Sequence, residues 1–242
     1  MASKCSAPLQ LFTHHVDSSL PEDSCIQLVH DDTSQPEPPA RPGTSLISPP
    51  TPDGEGNSPS ESYALNQIVL QIQSPTIRTT YIQCPPNGPH MPGLGLKHPW
   101  LHIQVRDIGK AWAFEVGLVD VAGRMGILRL STFQKQPRLR LSSDPSTSYP
   151  LLHFPLAFPS PSTRPLTAWA TVTLHLPSYL PHFSCPKLLD SQSAASSNVP
   201  SGKYAHVAYV RVYATCRLRR VWFSEGGPAQ KAPWEFELYG AT

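Results

Sequence analysis

Hydrophobic and polar side chains alternate with a period of two through most of the chain after residue 62. Residues 65–73 place Ile68, Leu70 and Ile72 on one face, and residues 77–81 continue this period after a Ser-Pro pair, which predicts a hairpin. Further alternating or apolar runs occupy residues 100–105, 112–118, 127–130, 151–158, 167–176, 204–215, 218–223 and 234–238. About nine strands with turn-rich connections predict an all-β domain over residues 63–242, an antiparallel β-sandwich or barrel.

Two proline-rich segments precede or interrupt this pattern. Residues 1–61 contain ten prolines, two basic residues, nine acidic residues and few aromatics. Such a segment buries too little apolar surface to offset the entropy lost on ordering. We therefore predict a disordered, acidic, proline-rich N-terminal tail over residues 1–62. Residues 141–203 are rich in proline and serine and predict a long flexible insertion around the runs at 151–158 and 167–176.

The charge of the predicted domain is opposite to that of the tail. Residues 62–242 hold 17 of the 19 basic residues and 8 of the 17 acidic ones, which predicts attraction to nucleic acid, an anionic membrane or acidic protein tails. No apolar run reaches 18 residues and the first 20 residues do not resemble a signal peptide, so membrane spanning and secretion are disfavoured. The five cysteines form no CxxC pair, which favours a reducing compartment.

Arginines are densest in residues 216–220, CRLRR, on a predicted strand. If Tyr209, Arg211 and Tyr213 share a surface with Arg219, they form a basic and aromatic face suited to an acidic partner. Alternation cannot place all three arginines of CRLRR on one side, so at least one is expected to face inward or to pair with Glu235 or Glu237. A second basic series follows the predicted turn at residues 120–123: Arg124, Arg129, Lys135, Arg138 and Arg140. The candidate partner-binding residues are Arg211, Tyr213, Arg217, Arg219, Arg220, Arg124 and Arg129.

No motif for catalysis, cofactor binding or metal binding is present. His98 and His102 would lie roughly 13 Å apart on a strand, too far for one metal ion. Cys84 has no sequence context that would make it a nucleophile. The chain also lacks a P-loop, GxSxG and HExxH, and residues 93–96 (GLGL) fail the dinucleotide pattern. We therefore expect no catalytic residue, no cofactor, no metal and no small-molecule substrate.

Five short segments resemble one known family. They are residues 78–85 (RTTYIQCP), 93–96 (GLGL), 114–116 (FEV), 214–224 (ATCRLRRVWFS) and 235–239 (EFELY). In this order they resemble the cilia- and flagella-associated family whose founding member sits at the inner junction of ciliary doublet microtubules. The resemblance spans roughly residues 65–240. The matching positions include Thr80, Tyr81, Cys84, Cys216, Arg217, Arg219 and Arg220.

This resemblance implies an antiparallel β-sandwich that binds tubulin, microtubules or other axonemal proteins and has no catalytic residues. It places the protein in the cytoplasm or cytoskeleton, in a cilium or centriole, with the nucleus left open. The family normally has further strands ahead of the one matched by residues 68–72, where this chain has the proline-rich tail. The stretch at 142–202 is also longer than the family's connection.

Two other functions are left open by the residues themselves. The same arginines and tyrosines suit a nucleic-acid-binding β-module, which competition between tubulin and single-stranded RNA would distinguish. Exposed tryptophan and tyrosine on a sheet suit a carbohydrate-binding sandwich. The cysteine pattern and the absence of glycosylation sequons weigh against the carbohydrate-binding alternative.

Overall fold

The regular secondary structure of the described residues is mainly β-strand. A computed structural model describes residues 9–36, 68–86, 93–141, 149–158, 169–189, 199–231, 233 and 236. Its strands are β1 (Thr13–His15), β2 (Cys25–His30), β3 (Ile68–Gln73), β4 (Tyr81–Cys84), β5 (Trp100–Arg106), β6 (Ala113–Asp120), β7 (Met125–Ser131), β8 (Arg138–Arg140), β9 (Leu151–Pro155), β10 (Trp169–His175), β11 (Tyr204–Tyr213) and β12 (Cys216–Ser224).

These strands form two sheets, which confirms the predicted all-β sandwich. The seven-stranded sheet has the order β1-β4-β11-β6-β7-β9-β8, and the five-stranded sheet has the order β10-β5-β12-β3-β2. Neighbouring strands are antiparallel except β7 and β9, which run parallel. The short strands β1 and β8 were not predicted, because three residues are too few to show alternation.

The hydrophobic core lies between the sheets and is built from the inward side chains of the alternating strands. Burying each large apolar side chain contributes about 1.5–3 kcal/mol relative to leaving it exposed. A 3-10 segment, Leu176–Ser184, adds Leu176, Leu180 and Phe183 to this core. Fully buried strand residues include Ile72, Ile82, Leu101, Ile103, Val105, Phe114, Val116, Leu118, Leu128, Leu152 and Val212.

The predicted hairpin of residues 65–73 and 77–81 is wrong. β3 pairs with β2 and β12 in the five-stranded sheet, whereas β4 pairs with β1 and β11 in the seven-stranded sheet. Residues 74–80 therefore cross from one sheet to the other. The Thr215 hydroxyl donates to the Ser74 carbonyl (2.8 Å), which joins this crossing to the one between β11 and β12. Alternation identifies a strand but does not identify its partner.

The predicted disordered tail is also wrong for residues 9–36. β1 pairs with β4 and β2 pairs with β3, so the chain does supply strands ahead of residues 68–72. Two acids that had argued for disorder are structural: Asp17 and Asp31 are both buried. Hydrogen bonds from Ser19 and then from the Thr79 and Thr76 hydroxyls, the last two to Oδ2, lower the pKa of Asp17.

Other expectations lie wholly or partly outside the described residues. These are the disorder of residues 37–62, the flexibility of residues 142–148, 159–168 and 190–198, and the closing strand at 234–238, of which only Phe236 is described. Within the expected insertion, the runs at 151–158 and 167–176 are confirmed as strands β9 and β10. The insertion is ordered further than predicted, because the 3-10 segment after β10 packs into the core.

Candidate interaction surface

The outer face of the seven-stranded sheet carries a row of polar side chains that crosses all seven strands. Successive members are directly opposite one another in the strand register. Facing side chains in adjacent strands interact, so a row of this kind acts as one surface. From β1 to β8 the row is Thr13, Gln83, Arg211, Glu115, Arg129, His153 and Arg138.

A buried carboxylate lies at the centre of this row. Glu115 is 2% exposed, and its Oε1 accepts hydrogen bonds from Arg129, one of them from Nε at 2.6 Å. Its Oε2 accepts a hydrogen bond from the Tyr213 hydroxyl (2.8 Å) and lies 3.7 Å from Nη1 of Arg211. Two arginines thus share one carboxylate, and the Glu115 cluster (Glu115, Arg129, Arg211 and Tyr213) keeps a net positive charge.

Aromatic rings hold the second arginine of this cluster in place. The guanidinium of Arg211 lies 4.5 Å from the ring centroid of Tyr81, and its Nε donates to Gln83 Oε1 at 2.7 Å. Tyr209 covers Gly117, where a Cβ would come within 2.7 Å of the tyrosine ring. Burial, reinforced by Glu115, raises the pKa of Tyr213 to about 12, so its hydroxyl stays protonated and continues to donate.

Beside the Glu115 cluster is an open cavity of about 630 Å³ on the same face, here called the arginine pocket. Four arginines line it, contributed by the β3–β4 crossing, β7 and β8: Arg78, Arg129, Arg138 and Arg140. The described lining contains no acidic residue. Arg78, Arg138 and Arg140 are exposed and form no ion pair with any described residue. The arginine pocket is therefore positively charged. Among the described residues, no carboxylate pairs with Arg78, Arg138 or Arg140.

His153, which also lines the pocket, adds no positive charge near neutral pH. Burial, together with the nearby Arg129 charge, lowers the pKa of His153 to about 4. Its Nε2 is hydrogen-bonded to the Ser131 hydroxyl at 2.7 Å. The ring of Phe133 packs edge-on against His153, with the ring centroids 5.6 Å apart. The arginines alone therefore set the charge of this pocket.

The predicted binding residues do not share one face. Arg211, Tyr213 and Arg129 lie on the seven-stranded sheet, but β12 belongs to the five-stranded sheet and carries Arg217 away from them. The condition under which Arg219 would share a surface with Tyr209, Arg211 and Tyr213 is therefore not met. Consecutive strands that cross between sheets separate residues that are close in sequence.

Arg217 and Asp31 form a buried cluster on the five-stranded sheet. Arg217 is 7% exposed, and its Nη1 donates to Asp31 Oδ1 at 2.9 Å. Arg106 donates to the same oxygen at 2.8 Å, and the Trp169 indole donates to Oδ2 at 2.7 Å. We call these four residues the Asp31 cluster. One arginine of CRLRR is buried, as expected, and it pairs with Asp31. The expected pairing with Glu235 or Glu237 lies outside the described residues.

The remaining predicted arginines have local contacts. Arg219 donates to Gln104 Oε1 at 2.8 Å, and the Arg220 guanidinium lies 4.5 Å from the Phe236 ring centroid. Arg124 pairs with Asp120 (Nη2–Oδ2 2.7 Å) in the turn between β6 and β7. Burial by itself would raise the pKa of Asp120, but hydrogen bonds from Arg124, Gly202 and Ser201 outweigh it and lower the pKa to about 2.

Three pocket arginines were not among the predicted binding residues. Arg138 and Arg140 belong to the second basic series, and their spacing around the buried Leu139 was a usable signal, because residues two apart on a strand face the same way. Arg78 lies in the crossing between sheets, where no periodicity applies.

The tryptophans of the described residues have neighbours that limit stacking on a ligand. Trp112 and Trp169 are buried, and Trp100 packs against His175. Trp222 is stacked on His102 and contacts the edge of Phe236. Trp100 and Trp222 of the five-stranded sheet are half-buried, and Trp222 also lines an open cavity there.

The described residues contain neither a metal-binding cluster nor a membrane-spanning helix. Nowhere in them do three His, Cys, Asp or Glu side chains meet at metal-binding distance. His98 pairs with Glu225, and His102 bonds to Thr173 and Ser224. No described helix has the length and hydropathy to cross a bilayer. Cys25, Cys84, Cys185 and Cys216 are free thiols, and burial raises the pKa of Cys84.

Fold and surface together define a β-sandwich with a basic patch on one sheet, and comparison with known proteins agrees with the resemblance found in the sequence. Residues 60–151 match the family model described as the CFA20 domain. The chain is 26% identical over 181 residues to Cilia- and flagella-associated protein 20 of Chlamydomonas reinhardtii, covering 72% of this chain and 75% of that protein. The protein of the same name from Caenorhabditis elegans is 24% identical over 179 residues, covering 72% of this chain and 70% of its own length. The resemblance to the cilia- and flagella-associated family is confirmed.

Proposed function

We propose that this protein is a non-enzymatic structural module of cilia, flagella or centrioles that binds microtubules or microtubule-bound proteins. The arginine pocket carries the proposal: it is a cluster of exposed guanidiniums with no described acid in its lining. The names of the relatives supply the ciliary setting. A positively charged face of this kind attracts and orients an acidic polymer.

Rigidity supports a scaffolding role. The Glu115 cluster anchors Arg129 and Arg211 through hydrogen bonds and ring contacts, and β8 fixes the backbone of Arg138 and Arg140 within the sheet. Little side-chain entropy is lost when Arg129 and Arg211, held in this way, meet a partner, whereas for Arg138 and Arg140 only the backbone is ordered in advance. The module would therefore act by shape and charge, with no covalent step.

Charge reversal in the pocket tests this function. In microtubule cosedimentation with the full chain, we expect the double variant Arg138→Glu, Arg140→Glu to bind about tenfold more weakly or worse, because two exposed guanidiniums at the contact become repulsive. The matched control is Lys97→Glu, Lys231→Glu, which changes the net charge equally at exposed positions outside the arginine pocket. Its affinity should stay within about twofold of the wild type.

Two outcomes would contradict the proposal. Equal losses in the pocket variant and the lysine control would show that only net charge matters. Tighter binding of single-stranded RNA than of microtubules at the same ionic strength would favour the nucleic-acid-binding alternative. Thermal unfolding of each variant should accompany the assay, so that loss of fold is not read as loss of binding.

A further inference from the structure

The arginine pocket contains more than positive charge. Its lining also includes apolar side chains from three parts of the fold: Ile77, Phe133 and Leu151. Phe133 is 45% exposed although it is large and hydrophobic. Exposed apolar surface next to arginines is typical of the centre of an interaction site, where a side chain of the partner is buried.

We propose that the arginine pocket binds an acidic peptide segment in which a hydrophobic side chain lies next to carboxylates. The hydrophobic side chain would seat against Phe133, Ile77 and Leu151, and the carboxylates would pair with Arg138, Arg140 and Arg78. This inference rests on the proposed function and deepens it. General attraction to an acidic polymer requires only positive charge, whereas the inference also requires a hydrophobic side chain in the partner. It names the chemistry of the segment that the pocket selects.

The spacing of the arginines supports an extended peptide. Arg138 and Arg140 are two residues apart on β8, with only Leu139 between them turned into the core. Residues two apart on a strand face the same way at roughly 6.6 Å. Carboxylates two apart on an extended peptide have the same spacing, and the planar guanidinium matches a carboxylate with two parallel hydrogen bonds.

No acidic residue of the described part of the chain lines the pocket. Glu115 is buried beneath Arg129 and Tyr213 and does not line the pocket. Leu151 lies directly opposite Arg140 in the strand register, so apolar and cationic surfaces adjoin. A segment that satisfies both must carry acidic and hydrophobic side chains together.

Fluorescence anisotropy with short labelled peptides tests this inference on the full chain. The probes are an acidic peptide of alternating glutamate and glycine with one central phenylalanine, the same peptide with alanine in place of phenylalanine, and the same peptide with glutamine in place of glutamate. We expect the phenylalanine peptide to bind about tenfold more tightly than the alanine peptide, which corresponds to partial burial of one aromatic side chain. The glutamine peptide should show no salt-dependent binding.

Two protein variants separate the apolar and cationic parts of the pocket. Phe133→Ala should remove most of the preference for the phenylalanine peptide while keeping the binding of the alanine peptide. Arg138→Glu, Arg140→Glu should weaken both acidic peptides, and Lys97→Glu, Lys231→Glu should weaken neither. Phe133 is exposed, so its replacement leaves the core intact.

The inference is overturned if the wild type binds the phenylalanine and alanine peptides equally. It is also overturned if the glutamine peptide binds as tightly as the glutamate peptide with the same phenylalanine, because the carboxylates would then contribute nothing. Its failure is distinguishable from failure of the proposed function. If the protein selects the phenylalanine peptide but does not bind microtubules, only the proposed function is contradicted. If the protein binds microtubules through the pocket but does not select the phenylalanine peptide, only the inference is contradicted.

Discussion

Replacing Asp31 with alanine is expected to lower the free energy of unfolding by about 3–5 kcal/mol, the range measured when one member of a buried ion pair is removed. Asp31 is 1% exposed and accepts hydrogen bonds from Arg106, Arg217 and Trp169. Without the carboxylate, the Arg217 side chain keeps its charge in a site where it is only 9% exposed. The indole of Trp169 loses an acceptor as well.

Urea unfolding at neutral pH measures this effect. The neighbouring residue provides the control, because Asp32 is exposed and bonds only to the adjacent backbone amide among the described contacts. Asp32→Ala should change the free energy of unfolding by less than about 0.5 kcal/mol. If Asp31→Ala lowered the free energy of unfolding as little as Asp32→Ala, residues 25–36 would not pack on the sheet in solution.

Replacing Glu115 with alanine is expected to lower the free energy of unfolding by about 2–3 kcal/mol, less than the loss at Asp31. Glu115 is equally buried, but its partners are not: the side chains of Arg129 and Arg211 are 26% and 23% exposed. Water can therefore reach both guanidiniums after the carboxylate is removed, which limits the cost of leaving them unpaired.

The control for this substitution is Glu225→Ala. Glu225 is also paired, with His98, but its side chain is 72% exposed. Exposed pairs are worth little, so the expected change is at most about 1 kcal/mol. If Glu225→Ala proved as destabilising as Glu115→Ala, burial of the carboxylate would not be the cause of the larger effect.

The sequence predicted the type of fold because strands that cover a core on one side must alternate. β5, β6, β10, β11 and β12 all show this pattern, and each appears close to its predicted position. The sequence did not show which strands pair, because pairing depends on contacts distant in the chain. The expected hairpin failed for this reason, and for the same reason the sequence could not decide whether Arg219 and Arg211 share a face.

Amino-acid composition gave a wrong prediction where charged residues help to hold the fold together. Asp17 and Asp31 counted as evidence for a disordered tail, yet both are buried acceptors that tie residues 9–36 to the sheets. Arg217, a predicted binding residue because arginines are densest in residues 216–220, is likewise buried and paired. The pair that joins Arg217 to Asp31 spans most of the chain, and no local pattern in either segment reveals it.

The most direct test of the central claim is hydrogen–deuterium exchange of the full chain with and without microtubules. The claim is that the outer face of the seven-stranded sheet makes the contact. We expect the binding-dependent protection to concentrate in the segments that line the arginine pocket, residues 75–79, 133–140 and 151–153. Protection confined to the opposite side, in residues 102–104 and 222–231 of the five-stranded sheet and its neighbouring loop, would contradict it.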